Sequence, residues 1–251
     1  FDQIIKNQNN ITWIENRQSD LNFGFGSGVY WVKLQLINRN LEVKNWALEF
    51  AYAPLDLVEA YIVKDNIVQQ HQIGGDQISF PEKSIQYPHT VFPLTLETNE
   101  RYDIYLRIQS SGSIQLPMRL WQWDEFNTHT LIHFLLQGLF FGFVIIMTLY
   151  NCVVWLSERK PVYLNYIIYI VSFALFSASL SGIGFQFLWP NSPWINNYIT
   201  SISISIVFAS FNYFMIYFFD MNNTAPRIKK VLSYSFYLYC TFSVISIFIP
   251  Y

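Results

Sequence analysis

The stretch SSGSIQLPMRLWQWDEFNTHTLIHFLLQGLFFGFVIIMTLYN, residues 110–151, decides the fold because its pattern changes near its middle. From Leu116 to Leu120 apolar and polar residues alternate, as they do along a half-buried β-strand. After Glu125 the chain has no Asp, Glu, Lys or Arg until Glu158. A strand therefore leads directly into a long uncharged segment, which predicts a β-domain followed by a membrane helix.

The charge distribution divides the chain into two parts. The sequence is 52% hydrophobic and 13% charged, whereas an ordinary soluble domain is about 25% charged. Only seven charged residues follow Leu131: Glu158, Arg159, Lys160, Asp220, Arg227, Lys229 and Lys230. We therefore predict a water-exposed domain at residues 1–125 and a membrane domain at 126–251.

Four apolar segments in the second part are long enough to cross a bilayer, which takes about 20 residues per helix. They lie at about 131–156, 162–188, 194–219 and 230–251. A charge at the bilayer centre costs about 2.5–3.5 kcal/mol, and no segment has one there. The sequence predicts part of an α-helical membrane bundle, with about four helices.

The loops between these segments predict the orientation. SERKP at 157–161 and DMNNTAPRIKK at 220–230 carry Lys and Arg, whereas WPNSPW at 189–194 carries no charge. Because Lys and Arg concentrate in cytoplasmic loops, the N-terminal domain is expected outside the cell membrane. The chain starts at Phe1 with no basic-then-apolar leader, so we expect a signal peptide to have been removed or left out. We also expect a longer protein, since the fourth segment has no polar exit.

The first part has the pattern of an all-β domain. Short alternating runs separated by turn residues lie at 29–38, 46–52, 57–64, 67–73, 91–97, 102–109 and 115–122. Asp65 and Asn66 leave a hairpin-sized gap between the third and fourth runs. Seven or eight strands of this kind predict a β-sandwich, to which the first 20 residues could add one more strand.

The order of several motifs resembles one receptor family. In the first part these are GVYWVKLQLIN, AYAPLDLVEAYIV, GGDQISF, VFPLTL and SSGSIQLPMRLW. In the second part they are GLFFGFVIIMTLYN, SERKPVYLNYIIYIVSFALF and GIGFQFLWP. From about residue 20 onward, the chain resembles the bacterial seven-transmembrane receptors with diverse intracellular signalling modules.

The resemblance implies a jelly-roll sensor domain in the periplasm that binds carbohydrate-like or other small ligands. It also implies seven helices in the bacterial inner membrane and a cytoplasmic output module outside this chain, such as a diguanylate cyclase, a histidine kinase or a phosphatase. One segment departs from the family, in which arginines are common between the GGD turn and the FPL strand. PEKSIQYPHT has only Lys83 and His89 as basic residues there, so an arginine-dependent anion site is not expected.

Six residues on the strand faces opposite the predicted core are candidates for ligand binding. Aromatic planes beside basic groups suit sugars and anionic ligands, through stacking and charge-assisted hydrogen bonds. The alternative is that they cover a sheet, contact the membrane domain or are solvated. The six are Trp31, Lys33, Tyr105, Arg107, Arg119 and Trp121.

Other motifs predict ordinary structure. GGDQ at 74–77 follows a strand and predicts a turn, not a cyclase signature, and FGFGSG at 23–28 precedes a strand, unlike a nucleotide loop. His129 and His133 share a helix face but lack further metal ligands nearby, so we expect interfacial polar residues, with pH sensing as the alternative. Two cysteines in apolar runs, Cys152 and Cys240, predict small buried hydrophobic residues. We therefore expect no metal, no cofactor and no catalytic residue.

Three classes of function remain open for such a chain. A sensor receptor agrees best with the strand-to-helix connection and with the resemblance; its partners would be the lipid bilayer, a small ligand and, as an open alternative, further copies of itself. A transporter or channel with an extracellular β-domain is the alternative, but no charge lies in mid-helix. An envelope enzyme acting on glycans is the third, although no paired carboxylates or nucleophile stand out. A net charge of −2 offers no case for nucleic acid.

Overall fold

A computed structural model describes residues 11–16, 20–26 and 28–248. The chain divides into two compact units, Phe1–Phe126 and Asn127–Tyr251. The first unit is built of antiparallel β-sheets and the second of helices.

The first unit contains nine strands among the described residues. They are β1 (Leu21–Phe25), β2 (Val29–Ile37), β3 (Asn45–Phe50), β4 (Leu57–Lys64), β5 (Ile67–Gly74), β6 (Thr90–Thr95), β7 (Arg101–Gln109), β8 (Ser113–Leu116) and β9 (Met118–Gln122). A short 3₁₀ helix, Phe80–Glu82, lies between β5 and β6.

The strands form a sandwich of antiparallel sheets. The largest sheet has the order β2-β7-β4-β5, the second β6-β3-β9, and β1 pairs with β8. The predicted all-β sandwich is therefore confirmed, while its jelly-roll strand order stays a prediction. Of the first 20 residues, where an extra strand was considered, 11–16 form none, and 1–10 and 17–19 lie outside the described part.

Alternating side chains of these strands make the core. Val32 from β2, Leu48 from β3, Ile62 from β4 and Leu106 from β7 belong to one buried apolar cluster. Each is flanked by residues that point to the other face of its sheet, as the two-residue period of a strand requires. The alternation read from the sequence thus predicts which face of each strand is internal.

The predicted hairpin is present, but the predicted strand 115–122 is two strands. Asp65 and Asn66 have φ values of 51° and 62°, which is the conformation of the type I′ turn between β4 and β5. Pro117 separates β8 from β9, and the two pair with different partners, β1 and β3. Proline has no amide hydrogen for a ladder, so the chain changes sheets there.

The second unit consists of helices. They are α1 (Trp123–Glu158), α2 (Pro161–Leu180), α3 (Ile183–Phe187), α4 (Asn196–Phe218), α5 (Met221–Thr224) and α6 (Pro226–Phe248). A 3₁₀ turn, Pro193–Ile195, precedes α4. Among the residues that the structure describes, three helices are long and apolar enough to cross a membrane: Trp123–Glu158, Pro161–Leu180 and Pro193–Phe218.

The first helix begins earlier than predicted. It starts at Trp123 instead of residue 131, so residues 123–130, which the sequence suggests as a short connector between the last strand and the first helix, form its first two turns. Asp124 and Glu125 lie in the first turn, where negative side chains are favoured by the helix dipole. β9 ends at Gln122, and no loop residue separates it from the helix.

The second predicted helix, 162–188, is interrupted. It ends at Leu180, and Gly182 has a φ of 74°, a left-handed conformation that commonly ends helices. A separate short helix, α3, follows. The predicted helix 230–251 begins earlier, at Pro226, and residues 249–251 lie outside the described part. It is not among the three described helices that are long and apolar enough to cross a membrane, so the prediction of a fourth span is not confirmed.

Serine side chains in α4 bond within their own helix. The Ser205 hydroxyl donates to the Ser201 carbonyl at 2.7 Å, and the Ser210 hydroxyl to the Ile206 carbonyl at 2.7 Å. A contact between helices joins the hydroxyls of Ser179 and Thr200 at 2.6 Å. Most of these hydroxyls are therefore hydrogen-bonded to a carbonyl of their own helix, so they lie in an apolar bundle at a low cost in free energy.

Candidate functional site

The antiparallel pairing of β2 with β7 brings four of the six candidate residues together. Trp31 lies opposite Arg107, and Lys33 lies opposite Tyr105. Because Val32 between them belongs to the core, these four side chains lie on the opposite face of the sheet. We call this surface of β2-β7-β4-β5 the outer face.

The basic groups on the outer face are held by carboxylates. Lys33 Nζ lies 2.9 Å from Asp103 Oδ2, and Arg107 Nη1 lies 3.1 Å from Glu59 Oε2. Burial alone would lower the pKa of Lys33, but hydrogen bonds to Tyr105 and Asp103 outweigh it and raise this pKa above its ordinary value. Both cations are therefore charged and fixed in place at neutral pH.

Tyr105 forms the floor of the outer face. Its side chain has 0% exposed surface, its ring centroid lies 6.1 Å from that of Trp13, and Lys33 Nζ lies 5.0 Å from the ring centroid. A ligand on this surface would meet Trp31, Lys33 and Arg107, with Tyr105 supporting Lys33 from below.

Two further rings extend the outer face across the sheet. Tyr61 on β4 lies opposite Tyr105 on one side and His71 of β5 on the other. The rings of Trp31 and Tyr61 are 6.1 Å apart at 28°, and those of Tyr61 and His71 are 4.3 Å apart at 11°. The alternation of β4 in the sequence places Tyr61 opposite the core, but only the tertiary structure shows that its ring reaches that of Trp31 across β7.

The other two candidates, Arg119 and Trp121, belong to a different sheet. They lie on β9, where Arg119 pairs with Glu49 and Trp121 with Ala47 of β3. They are therefore not part of the outer face.

Trp121 instead completes a buried polar cluster around one carboxylate. Glu49 has 0% exposed surface; its Oε1 lies 2.7 Å from His89 Nδ1, and its Oε2 accepts a 2.7 Å hydrogen bond from Trp121 Nε1. The Tyr87 ring packs edge-on against His89 and Phe126, both with centroids at 5.3 Å. We call these five residues the Glu49 cluster. Phe126 is the fourth residue of α1, so the cluster includes the start of this helix.

Electrostatics around the Glu49 cluster disfavour further negative charge. Burial raises the pKa of Tyr87 well above its ordinary value, Glu49 adds to the rise, and Arg119 opposes it. Tyr87 is consequently a neutral phenol throughout the physiological range. The cluster thus contains one carboxylate with positively polarised groups around it, an arrangement that stabilises a buried charge.

A cavity opens at the end of the sandwich where three loops meet. It has a volume of about 400 Å³ and is lined by Asp56, Leu57, Gln77, Ile78, Gln109, Ser110 and Ser111. Gln77 and Ile78, which directly follow the GGD turn, line one side of the cavity. Gly75 has a φ of +128°, and a Cβ there would lie 2.2 Å from the Asp56 carbonyl oxygen, so only glycine fits.

Two ionisable groups near this cavity have shifted pKa values. Burial raises the pKa of Asp76 to about 7, and repulsion from Asp56 adds to the rise, whereas Lys83 opposes it. Burial lowers the pKa of Lys83 to about 8, and the attraction of Asp76 partly opposes this. Asp76 precedes the lining residue Gln77, and it is attracted to the buried Lys83.

A metal site is not evident. Among the described residues, no group of three or more His, Cys, Asp and Glu side chains could hold a metal ion. The rings of His129 and His133 stand 6.4 Å apart on α1. Cys152 and Cys240 are free thiols, and both are partly exposed instead of fully buried as expected.

Two family models match the chain. Residues 1–122 match the model described as 7TMR-DISM extracellular 2, and residues 133–251 match 7TM diverse intracellular signalling. The chain belongs to the seven-transmembrane receptors with diverse intracellular signalling modules. No curated protein gives a significant match to this receptor.

Family membership places both candidate surfaces outside the membrane. The receptor is a membrane protein with an N-terminal extracellular sensing domain and a helical signalling domain. The outer face and the 400 Å³ cavity both lie within the extracellular match. The two matches leave residues 123–132 between them, and these are the first turns of α1.

Proposed function

We propose that this receptor senses a carbohydrate or a similar small ligand on the outer face of its sandwich and relays binding to a cytoplasmic output module outside this chain. In this proposal the sandwich lies in a bacterial periplasm, the helices lie in the inner membrane, and the chain itself performs no catalysis. The observation that carries the proposal is the cross-strand pairing of Trp31 with Arg107 and of Lys33 with Tyr105.

The chemistry of the outer face supports a sugar ligand. The rings of Trp31, Tyr61 and His71 form a stacked row across the sheet, and an aromatic ring at the end of such a row can stack on the apolar face of a sugar ring. Arg107 bonds Glu59 and Gln109, and Lys33 bonds Asp103 and Tyr105, but a guanidinium has five N–H donors and an ammonium three, so each has a further donor for a ligand. A row of rings that crosses several strands suits several linked sugars better than one.

The chain connection supports the relay. β9 ends at Gln122 and α1 starts at Trp123, so a movement of the strand has no flexible linker in which to dissipate. A ligand can shift the receptor between two arrangements only by binding one of them more tightly. We therefore expect ligand binding to alter the start of α1.

Binding of trisaccharides to the full chain in lipid nanodiscs tests the proposal. Maltotriose, cellotriose and chitotriose are titrated and followed by saturation-transfer NMR. We expect at least one to bind, and Trp31→Ala or Tyr61→Ala to weaken binding at least tenfold. Hydrogen exchange of α1 amides should change on binding.

The matched control is Gln35→Ala, an exposed residue on the same strand and face that carries no ring. Its affinity should equal that of the native chain. Binding of none of the three sugars, or equal losses in all three variants, would remove the outer face as the ligand site.

A further inference from the structure

The cavity at the end of the sandwich is built by backbone hydrogen bonds. The Asp76 amide donates to the Leu55 carbonyl at 2.8 Å, and the Gln77 amide donates to the Asp56 carbonyl at 3.1 Å. The loop that contains Ser111 is tied to the loop that contains Asp56, because Asp56 Oδ2 accepts hydrogen bonds from Ser111 N at 2.8 Å and Ser111 Oγ at 2.7 Å. The cavity is therefore a preformed feature of the fold, as small-molecule sites usually are.

Internal partners compensate the charges around this cavity. Asp56 already accepts two hydrogen bonds from Ser111. The carboxyl of Asp76 attracts Lys83. A charged ligand would add an unbalanced charge to a partly desolvated site, which is costly. The lining consequently favours a neutral guest.

One polar group that lines the cavity lacks a partner. Ser110 is 2% exposed, and its Oγ has no hydrogen-bond partner in the described structure. A buried hydroxyl without a partner costs about 1–3 kcal/mol. Such a group is rare unless a ligand or water satisfies it.

The remaining lining mixes donors, acceptors and apolar surface. Gln77 and Gln109 each offer an amide group, Asp56 a carboxylate, and Leu57 and Ile78 apolar surface. A pyranose ring presents the same mixture, with hydroxyls at its rim and C–H groups on its faces. The volume of about 400 Å³ lies near the lower end of the range of about 300–1,000 Å³ for ligand pockets.

We propose that this cavity is a second binding site of the receptor, and that it takes a single neutral sugar ring or a polyol of similar size, with the Ser110 hydroxyl, which is fully buried in this structure, rotating to bond one ligand hydroxyl. The inference rests on the proposed function in taking the ligand to be a sugar. The cavity adjoins the outer face, because its lining residues Leu57 and Gln109 lie on that face of β4 and β7 and Gln109 Oε1 accepts a 3.0 Å hydrogen bond from Arg107, but it includes none of the candidate residues Trp31, Lys33, Tyr105 and Arg107. The row of rings across the outer face suits an oligosaccharide, whereas the cavity suits one ring.

The test uses the full chain in nanodiscs with D-glucose, D-galactose, N-acetylglucosamine and myo-inositol as probes, and ethanolamine as a small cation. Saturation-transfer NMR gives the dissociation constants. We expect at least one polyol to bind, Ser110→Ala to weaken it about tenfold, and ethanolamine not to bind. Ser110→Ala removes a hydroxyl without a partner, so its melting temperature should equal or exceed that of the native chain, and lost binding will not reflect misfolding.

Ser113→Ala is the matched control, because it removes the same group three residues away and outside the cavity lining. It should bind the polyol as the native chain does. Binding of no polyol, equal affinity in Ser110→Ala, or binding of ethanolamine alone would overturn the proposal.

Trp31→Ala separates the two sites. Loss of single-ring binding in Trp31→Ala, with Ser110→Ala unaffected, would refute the cavity and retain the outer face. Loss of single-ring binding in Ser110→Ala, with trisaccharide binding intact, would support two sites. Absence of binding by single rings and trisaccharides alike would refute both.

Discussion

The Trp121 indole Nε1 donates a hydrogen bond of 2.7 Å to Oε2 of Glu49, a carboxylate with 0% exposed surface. The two residues are far apart in the sequence and meet because β9 pairs with β3. Trp121 lies two positions before α1 begins. The charge of Glu49 is therefore satisfied partly by the strand that leads into the first membrane helix.

Loss of this donor should destabilise the sandwich. Trp121→Phe keeps an aromatic ring but removes the N–H, and a hydrogen bond to a charged group is worth about 1.5–3 kcal/mol. We expect the free energy of unfolding to fall by that amount, measured by hydrogen exchange of β3 amides in the nanodisc-embedded chain. Trp46→Phe is the matched control, since the buried Nε1 of Trp46 has no hydrogen-bond partner in the described structure. Equal losses in both variants would mean that ring volume alone matters.

Stability should depend on pH through Asp76. Its folded pKa of about 7 lies above the ordinary 3.8, so the folded state retains a proton that the unfolded state releases. The stabilisation from this proton is complete below pH 3.8 and is lost as the pH rises to about 7. Asp76→Asn should remove this fall, so the melting temperature of the variant should rise relative to that of the native chain between pH 4 and 7. Asp65→Asn, in the exposed hairpin, is the control, and its melting temperature should change with pH in parallel with that of the native chain.

Lys83 should act in the opposite direction at higher pH. Its folded pKa of about 8 lies below the ordinary 10.5, so the unfolded state binds more protons between these values. Stability should therefore rise from pH 8 to 10.5, and Lys83→Met should abolish that rise in the melting temperature. A native profile that is flat over this range would contradict the burial of the ammonium group.

The hairpin turn should tolerate glycine but not a branched residue. Asn66 has a φ of 62°, and a left-handed conformation costs an ordinary L-residue roughly 1–2 kcal/mol. Asn66→Val should lower the free energy of unfolding by about that much, whereas Asn66→Gly should leave it nearly unchanged. Chemical unfolding followed by exchange of β4 and β5 amides measures both, and equal effects would argue against the turn.

Cysteines introduced in the first two loops between the membrane helices should be labelled from opposite sides of the membrane. In a background with Cys152→Ser and Cys240→Ser, Ser192→Cys should react with an impermeant maleimide in intact cells. Lys160→Cys should react only after permeabilisation, because Lys160 lies in the basic loop between α1 and α2. Reaction of both from the same side would refute the predicted orientation.

Local patterns let the sequence alone predict much of this receptor. The absence of charge between Glu125 and Glu158 marks a segment for lipid, and alternation marks the core face of each strand. Asp65 and Asn66 mark a turn because their side chains tolerate a left-handed backbone. These features depend on residues close together in the chain, so they can be predicted without knowing which distant residues meet in the folded structure.

Tertiary structure decided which residues share a site. Strand pairing joined Trp31 to Arg107 and Tyr61 but carried Trp121 to Glu49 on another sheet. It also converted Ser110, an ordinary loop residue in the sequence, into a buried hydroxyl at a cavity. Alternation within a strand tells only which face of the sheet a residue lies on. Its neighbours on that face come from strands that are distant in sequence, and no local pattern encodes the order of those strands.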